Sequence, residues 1–503
     1  MQLVLFDSSG WDGWCVAARP AIPDRMPVLI YDDLLFEDEG VPRPVVAVNR
    51  WLRELPVSGA PAPLTWVTYG RVLRDWLTFC DERGVSVFGV REQLKAVLSA
   101  YAAHRASGPE KTRFAATTWN QHMSVLSSFY AWAQAEGHGG AVPFSYAQAR
   151  AHYNGQTRVV RANLAMRRVP RPHVSIKYLE AGFAAMFLSA LAGLTPDGSA
   201  DTGYRGRELT RNTAVASLAL ASGLRRQEFS YLLSFEVPAC PPASHPDGLP
   251  ILLAVPEGIT KGRKFRTTWV DAGTLATVHG YLALDRAAST LGSTWRPPAS
   301  WGEPLMVTEA GPDGGRVNGR KVKWAALLPA QRRRLVDERG GSCLLAVRGD
   351  GGPFTAWDTV FTRASERIRS CFEPRFPHVF CHKLRHSFAM ATLEKLVAGF
   401  YAQVAGLAIT GGDAGPDAAL ALYLAKSDPL MVLRDLLGHS SALTTEAYLR
   451  RLDTTRIYRD AYEQALAGAP AAERKAAGAE ATAEFTDDTD PDVDGPGPQP
   501  GGR

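Results

Sequence analysis

Three amphipathic segments between positions 65 and 137 constrain the fold of this chain most strongly. In the first segment, apolar residues recur at intervals of three and four positions, which is the spacing of one face of an α-helix. Those residues are Tyr69, Val72, Leu73, Trp76, Leu77 and Cys80. Residues 91–105 and 116–136 repeat the same spacing. Together with a short helix near 46–55, these segments predict a small helical domain.

The remainder of the chain predicts a second, larger domain of mixed structure. At 503 residues the chain is too long for one ordinary domain. Two strand patterns, 249–255 and 265–270, flank a glycine-rich basic turn and are surrounded by helical patterns. We therefore predict a mainly α fold with a small β-sheet, of the α+β class. The predicted organisation is an N-terminal extension at 1–60, a helical domain at 61–145, a basic linker at 146–174, a second domain at 175–468 and a disordered acidic tail at 469–503.

Charge is unevenly distributed along the chain. The formal net charge is +5 at pH 7. Residues 471–503 contain eight acidic and three basic side chains, a net charge of −5, so the preceding part of the chain carries +10. A basic body of this kind fits a polyanionic partner. Ordinary solvated lysines and arginines explain the same charge equally well.

The cysteines and the apolar segments of the chain indicate its cellular compartment. The six cysteines are scattered, without a CxxC pair, which fits a reducing cytoplasm. The segment 1–7 lacks the basic start of a signal peptide. The longest apolar run, 181–194, is too short to span a bilayer. We therefore expect a cytoplasmic protein without a membrane partner.

Two motifs place basic side chains in the first half of the predicted second domain. In the first motif a helix ends in a glycine turn and restarts at Arg225, and Glu228 follows one helical turn later, where it can hold an arginine in place. The second motif is Lys261, which lies in the basic turn between the two predicted strands.

Two further motifs lie towards the C-terminus. His382 and Arg385 belong to a His-x-x-Arg-His sequence that ends in His386, and their spacing of three puts them on one helix face. A Leu-Gly-His sequence then places His439 nine positions ahead of Tyr448. Taken alone, Tyr448 is better explained as a half-buried aromatic residue of the last helix.

This combination of side chains matches the demands of phosphodiester cleavage. The transition state carries extra negative charge on nonbridging oxygens, which guanidinium groups bind in a bidentate way. A tyrosine hydroxyl, with a pKa near ~10, needs a base or a strongly positive pocket to attack as phenolate. A lysine can protonate the leaving 5′ oxygen.

The order of the four motifs resembles that of the tyrosine recombinases of the phage-integrase type. The motifs are Gly-Leu-Arg with Glu228, the hairpin lysine, His-x-x-Arg-His, and Leu-Gly-His followed by the tyrosine. Residues 65–137 resemble the helical, SAM-like core-binding domain of that family, and roughly 175–465 resemble its catalytic domain. The resemblance implies two domains that close on duplex DNA as a C-shaped clamp.

The resemblance also implies a role for each motif residue. Tyr448 would be the nucleophile that forms a 3′-phosphotyrosyl link. Arg225 and Arg385 would bind the scissile phosphate, and Lys261 would be the general acid. The two histidines that would assist proton transfer and bind the phosphate are His382 and His439. No cofactor, ATP or metal would be needed, because the phosphotyrosine conserves the bond energy.

The partners implied are macromolecular. The chain would act on double-stranded DNA at an attachment or recombination site. It would form a homotetramer on two duplexes and exchange strands through a Holliday junction. An accessory DNA-bending or directionality protein is a further expected partner.

Several alternatives remain at the level of residues. Lys264 competes with Lys261, and Arg226 competes with Arg225. His382 and His386, four positions apart, have the spacing of a zinc-binding pair, but no third ligand is evident in the sequence. We interpret His386 as a packing or supporting residue. The residues interpreted as structural are Glu228, His378 and Cys381.

Two rival functions share these features. A type IB topoisomerase uses a similar catalytic set and relaxes supercoils as a monomer. A catalytically inactive DNA-binding regulator could keep the same fold, although the complete residue set argues against it.

The chain departs from the family pattern in length. Residues 295–352 are rich in Gly, Pro and Arg and predict surface insertions, and 395–428 lengthens the approach to Tyr448. We expect the second insertion to shape tyrosine delivery or subunit contact. A last helix at 453–467 would, by resemblance, pack into a neighbouring protomer; the alternative is packing against its own domain.

Overall fold

The computed structural model divides the chain into two compact units, Met1–His173 and Val174–Arg503, each with its own hydrophobic core. The structure describes residues 1–7, 22–23, 25–60, 62–153, 156–168, 177–246, 249–409, 429–449 and 452–468.

Four helices form the core of the first unit, at the places where the sequence predicted them. They are α1 (Pro44–Glu54), α2 (Pro63–Asp81), α3 (Arg91–Arg105) and α4 (Ala116–Ala135). Aromatic side chains fill the space between them. The fully buried Trp76 donates a hydrogen bond of 3.1 Å to the Tyr130 hydroxyl and packs edge-on against Tyr101. Such pairs add directional contacts to the burial of apolar area, so they fix how these helices meet.

Short strands precede α1. Strands β1 (Gln2–Leu5) and β2 (Pro27–Ile30) pair antiparallel, and β3 (Glu37–Asp38) pairs with β4 (Val41–Pro42). The first pair lies against α2 at Gly70, where an added Cβ would come within 2.9 Å of Pro27 Cβ. A glycine therefore permits this close approach.

A β-hairpin occupies much of the segment that we predicted as a basic linker. Strand β5 (Tyr146–Tyr153) pairs antiparallel with β6 (Gln156–Asn163), and the first unit extends to His173. The predicted linker therefore contains two paired strands, which the alternating pattern of both segments suits. Arg161 lies over the Tyr146 ring, 3.9 Å from its centroid.

The second unit is built mainly from helices. They are α5 (Ala181–Leu191), α6 (Leu209–Ser222), α7 (Arg226–Tyr231), α8 (Ala272–Tyr281), α9 (Ala287–Thr290), α10 (Pro329–Arg332), α11 (Trp357–Cys371), α12 (Cys381–Ile409), α13 (Pro429–Leu437), α14 (Ala442–Leu449) and α15 (Thr454–Gly468). Their largest core brings Leu218, Phe229, Trp357 and Leu384 into one buried cluster. Burial of each such side chain contributes about 1.5–3 kcal/mol.

A two-stranded sheet adjoins these helices, as predicted. Strands β7 (Ile251–Val255) and β8 (Arg266–Val270) pair antiparallel, and the turn between them carries Lys261. Thr268 on β8 donates a hydrogen bond of 2.6 Å to the Ser222 carbonyl, at the C-terminus of α6. The hairpin is therefore fixed to the end of the helix that precedes Arg225.

The segment 295–352, which we predicted to be surface insertions, contains a sheet and several buried side chains. It forms a four-stranded sheet in the order β11 (Arg320–Lys323), β10 (Gly314–Val317), β9 (Leu305–Ala310) and β12 (Leu335–Asp337). Strand β12 runs parallel to β9, whereas the other pairs are antiparallel. The sheet buries Trp324 and Leu335, and the buried ion pair of Arg332 with Glu236 joins it to the helical core.

The approach to Tyr448 begins with a long helix. Helix α12 runs for 29 residues and carries the predicted lengthening as far as Ile409. The rest of the predicted insertion, 410–428, and the predicted disordered tail, 469–503, lie outside the described residues. Helix α15 packs against α12 of the same chain, where Ile457 is buried and Arg456 pairs with Glu394. Within the single chain this is the alternative arrangement, and packing into a neighbouring protomer stays a prediction.

The predicted fold class is confirmed, because the described chain is mainly helical with several small sheets. None of the described helices is both long enough and apolar enough to cross a membrane.

Candidate active site

Arg225 is positioned by a sharp turn between two helices. Helix α6 ends at Gly223, whose backbone is left-handed (φ +64°), and Arg225 is the N-cap of α7. An added Cβ at Gly223 would lie 2.2 Å from the Phe388 ring, so both the turn and the packing require glycine.

Glu228 holds two arginines at once. Its Oε2 accepts a hydrogen bond of 2.7 Å from the Arg225 backbone, and its Oε1 accepts one of 3.0 Å from Arg225 Nη1. Arg266 donates to both carboxylate oxygens, at 3.0 and 2.7 Å. Burial alone would raise the pKa of Glu228, but the charge and hydrogen bonds of Arg266 outweigh it, so that the pKa is lowered. The structural role that we predicted for Glu228 thus has a geometric basis.

Arg266 is a site residue that our sequence reasoning missed. It is the first residue of β8, its side chain is buried, and its Nε donates a hydrogen bond of 3.0 Å to the Leu436 carbonyl at the end of α13. The signal was available, because Arg266 is in phase with the buried Thr268 and Val270 on an alternating strand. An arginine at a buried strand position needs a partner, which here is Glu228.

Arg385 joins the same network from α12. Only 1% of the residue is exposed. Its Nη1 donates a hydrogen bond of 2.6 Å to the Gly223 carbonyl, and its Nη2 donates to the Leu437 carbonyl. Burial, followed by the neighbouring charge of Arg225, lowers the pKa of Arg385 to about 9.

Three arginines therefore converge on the turn that follows α13. Arg225 Nη2 lies 3.3 Å from the Gly438 carbonyl, Arg385 binds the preceding carbonyl, and Arg266 binds the one before it. Gly438 has a left-handed backbone (φ +62°), and an added Cβ would lie 2.7 Å from Arg266 Cδ. His439 follows immediately, so the network fixes the position of this histidine.

Tyr448 lies on α14 beside this network and is almost fully buried. Its hydroxyl shares a hydrogen bond of 2.7 Å with Nδ1 of His386. The ring of His439 is nearly parallel to the tyrosine ring, with centroids 6.4 Å apart. Burial raises the pKa of Tyr448, while the charges of Arg385 and Arg225 oppose this rise. Burial outweighs the two charges, so the pKa of Tyr448 is raised overall.

The three histidines of the site all have lowered pKa values. Burial first, then neighbouring positive groups, lowers the pKa of both His386 and His439 to about 4. The pKa of His382 is also lowered, chiefly by burial. His382 and His386 meet edge to face with centroids 4.5 Å apart. His439 Nδ1 shares a hydrogen bond of 2.9 Å with the Thr445 hydroxyl, a second residue that sequence reasoning missed.

Lys261 differs from the other predicted residues, because it is exposed in the turn between β7 and β8. Its side chain makes no polar contact with another described residue, and the same holds for the side chain of Lys264. The turn itself is ordered by Thr260, whose Oγ1 accepts a hydrogen bond of 2.9 Å from the Lys264 backbone. The structure therefore brings Arg225, His382, Arg385, His439 and Tyr448 together and leaves Lys261 at the surface.

The structure also bears on the alternative residue assignments made from the sequence. Arg226 points to an exposed ion pair with Asp358, whereas Arg225 belongs to the network. His386, interpreted as a supporting residue, contacts the tyrosine hydroxyl directly. Within the described part of the chain, no group of three His, Cys, Asp or Glu side chains is arranged to hold a metal ion.

The comparison with protein families identifies one part of the chain. Residues 48–137 match the family described as phage integrase, N-terminal SAM-like domain. This segment, which contains α2, α3 and α4, is therefore a SAM-like domain of the phage-integrase type. The resemblance that we stated for residues 65–137 is confirmed. A comparison with curated protein sequences found no match.

Solved structures give a more distant likeness over most of the chain. A XerH site-specific recombinase bound to palindromic difH substrate is 13% identical, with a TM-score of 0.44 over 82% of this chain and 84% of that chain. The Tn1549 transposon integrase in complex with a circular intermediate DNA is 13% identical, with a TM-score of 0.42 over 80% and 94% of the two chains. For the XerA recombinase the identity is 16% and the TM-score 0.30, over 83% and 98%. Likenesses at this level do not define the chemistry of the site.

Proposed function

We propose that this chain is a site-specific DNA recombinase that cleaves and rejoins duplex DNA through Tyr448. The observation that carries the proposal is the buried Tyr448 hydroxyl, held by His386 and flanked by the charges of Arg225 and Arg385. A tyrosine in such surroundings is suited to attack a phosphodiester, because positive charge stabilises both the phenolate and the transition state.

The two arginines would bind the scissile phosphate. Arg225 is the more accessible, with about a quarter of its side chain exposed, and its guanidinium is already oriented by Glu228. Arg385 directs two of its five N–H groups to backbone carbonyls, which leaves three for phosphate oxygens. Preorganised donors of this kind stabilise the charge that develops on nonbridging oxygens.

The remaining roles follow the same chemistry. His439 would hydrogen-bond the phosphate through the ring nitrogen that does not contact Thr445. Lys261 would protonate the leaving 5′ oxygen, and its exposed turn would move onto the DNA to do so. His382 would assist proton transfer. The product of cleavage would be a 3′-phosphotyrosyl link with a free 5′ hydroxyl, whose attack reverses the step without ATP or metal.

The wider setting of the reaction is also proposed. The SAM-like domain and the basic body of the chain would bind duplex DNA on either side of the cleavage point. Four protomers on two duplexes would exchange strands through a Holliday junction, aided by an accessory DNA-bending or directionality protein. The protein would act in the cytoplasm, at the nucleoid.

Covalent capture tests the proposal. The purified full chain is incubated with a pool of nicked duplexes that have randomised sequence around the nick, so that cleavage releases a short fragment and traps the enzyme. We expect SDS-stable adducts with a selected sequence, and none with Tyr448→Phe. Lack of adducts from the unaltered chain would refute the proposed function, and adducts with Tyr448→Phe would refute the nucleophile.

A plasmid that carries two copies of the captured site distinguishes recombination from the main rival activity. We expect recombinant products. Supercoil relaxation by the chain without recombinants would instead indicate a type IB topoisomerase-like activity.

A further inference from the structure

The Tyr448 hydroxyl makes its hydrogen bond, among the described residues, with a histidine to which no catalytic role has been assigned. The partner is Nδ1 of His386, at 2.7 Å, and the two ring centroids are 5.8 Å apart. A general base must lie within about 2.6–3.2 Å of the atom whose proton it removes.

We propose that His386 is the base that accepts the hydroxyl proton of Tyr448 when the tyrosine oxygen attacks the scissile phosphate. This assignment rests on the proposed function, because it names a residue that serves the same nucleophile.

The geometry is fixed from both sides. His386 follows Arg385 on α12, and Arg385 is bound to the Gly223 and Leu437 carbonyls. Tyr448 is packed in a buried cluster with Leu433 and Leu437. These contacts hold both rings in place, so the Tyr448 hydroxyl and His386 Nδ1 are already at hydrogen-bond distance before DNA binds.

The other two histidines are less well placed for this task. His439 directs its Nδ1 to Thr445, and its ring lies nearly parallel to the tyrosine ring without a hydrogen bond to the Tyr448 hydroxyl among the described residues. His382 contacts His386 edge to face and makes no hydrogen bond to Tyr448 among the described residues. Of these three histidines, His386 is the one whose ring nitrogen contacts the Tyr448 hydroxyl in the described structure.

The protonation state is compatible with the role. Burial, and then the neighbouring His382 and the charge of Arg385, lower the pKa of His386 to about 4, so the ring offers a lone pair at pH 7. In the Nε2–H tautomer this lone pair is on Nδ1, facing the hydroxyl. A phosphate bound at Arg225 and Arg385 adds negative charge beside the ring, which favours the imidazolium and strengthens the base when substrate is present.

The step is balanced in atoms and charge. The O–H bond of Tyr448 breaks, its proton passes to His386 Nδ1, and the tyrosine oxygen bonds to phosphorus while the bond from phosphorus to the 5′ oxygen breaks. The leaving oxygen takes its own proton from the proposed general acid, Lys261. In rejoining, the imidazolium returns the proton to the tyrosine oxygen as the 5′ hydroxyl attacks, so removal of His386 should slow both directions.

Replacement of His386 by asparagine distinguishes a general base from a residue that only positions Tyr448. In His386→Asn the side-chain oxygen can still accept a hydrogen bond from Tyr448, but it cannot hold a transferred proton. We expect the rate of adduct formation on the captured nicked duplex to fall about 10²–10³-fold, with DNA affinity retained as evidence of folding. His378→Asn, an exposed histidine outside the site, should leave the rate unchanged.

A substrate with a sulfur leaving group shows whether His386 acts on the nucleophile or on the leaving group. In a duplex with a 5′-bridging phosphorothiolate, the departing thiolate needs no proton, so Lys261→Ala should regain its rate. His386→Asn should remain slow on this substrate, because the nucleophile still needs its base. If the asparagine variant does not bind DNA, His386→Gln is measured in its place.

Two results would overturn the proposal. If the asparagine or glutamine variant forms adducts at the unaltered rate, His386 only positions the tyrosine or does nothing. If the sulfur substrate restores the variant, His386 acts on the leaving group. Failure of the unaltered chain to form any adduct is a different outcome, since it refutes the recombinase function and not the choice of base alone.

Discussion

The turn after α13 and the turn between β7 and β8 both carry predicted catalytic residues, but they are built in opposite ways. At the first turn, buried guanidinium groups of Arg266 and Arg385 bind consecutive backbone carbonyls, and His439 follows at once. At the second, Lys261 is exposed and its side chain is unpartnered among the described residues. The groups that would bind phosphate are preorganised in the free protein, whereas the group that would donate the last proton is left to be ordered by DNA.

This difference has an energetic consequence. The arginine network is part of the core of the second unit, so its members contribute to stability and to chemistry together. The exposed turn carries little folding energy, so a change there should affect chemistry alone. The following predictions address the two turns in order of decreasing effect.

Glu228→Ala should produce the largest change in stability. It leaves Arg266 buried without its carboxylate partner and frees Arg225, and loss of one member of a buried pair destabilises by about 3–5 kcal/mol. Urea unfolding of the full chain, followed for the second unit, measures the difference. The matched control is Glu309→Ala, from an exposed pair with Arg316, which should change stability by less than about 1 kcal/mol. Equal effects of the two substitutions would show that the network adds no special stability.

Lys261→Ala should reduce the rate of adduct formation about 10²–10³-fold, because it removes the proposed general acid. Its stability should stay within about 0.5 kcal/mol of the unaltered chain, since the side chain is exposed. Single-turnover cleavage and urea unfolding measure the two quantities. Lys264→Ala is the control in the same turn and should cleave normally. A reversal of these rates would make Lys264 the proton donor.

Acidification should weaken the second unit over a defined range. His386 and His439 have a pKa of about 4 in the folded chain, against about 6.5 when unfolded, so the unfolded state binds more protons between these values. Stability should therefore fall as the pH decreases from about 7.5 to 5, by about 2–3 kcal/mol for the pair after allowance for solvent screening. Urea unfolding at several pH values measures this slope. The double variant His386→Gln with His439→Gln should flatten it, and an unchanged slope would contradict the assignment to these two rings.

Much of the site could be predicted from the sequence, because its residues lie at helix ends with fixed local spacing. The glycine turn before Arg225, the spacing of His382 and Arg385, and the interval from His439 to Tyr448 are all local signals. The structure brings these residues together. The helices of the first unit were predictable for the same reason, since their periodicity is local.

The remaining features depend on contacts between distant parts of the chain. The role of Arg266 arises only where β8 meets Glu228 and the end of α13. The contact of His386 with Tyr448 depends on how α12 and α14 pack, which no local pattern specifies. The sheet within 295–352 was missed because its strands are only three to six residues long. The β5–β6 hairpin did have a local signal, the Asn154-Gly155 dipeptide between alternating segments, which favours a two-residue turn.

Peptide mapping of the covalent adduct tests the central claim most directly. The adduct captured on a nicked duplex is digested with nuclease and protease, and mass spectrometry locates the nucleotide-bearing residue. We predict a single modified tyrosine, Tyr448, linked to a 3′ phosphate. A nucleotide on another residue, such as the partly exposed Tyr458 or Tyr462 of α15, or a 5′ linkage, would contradict the account.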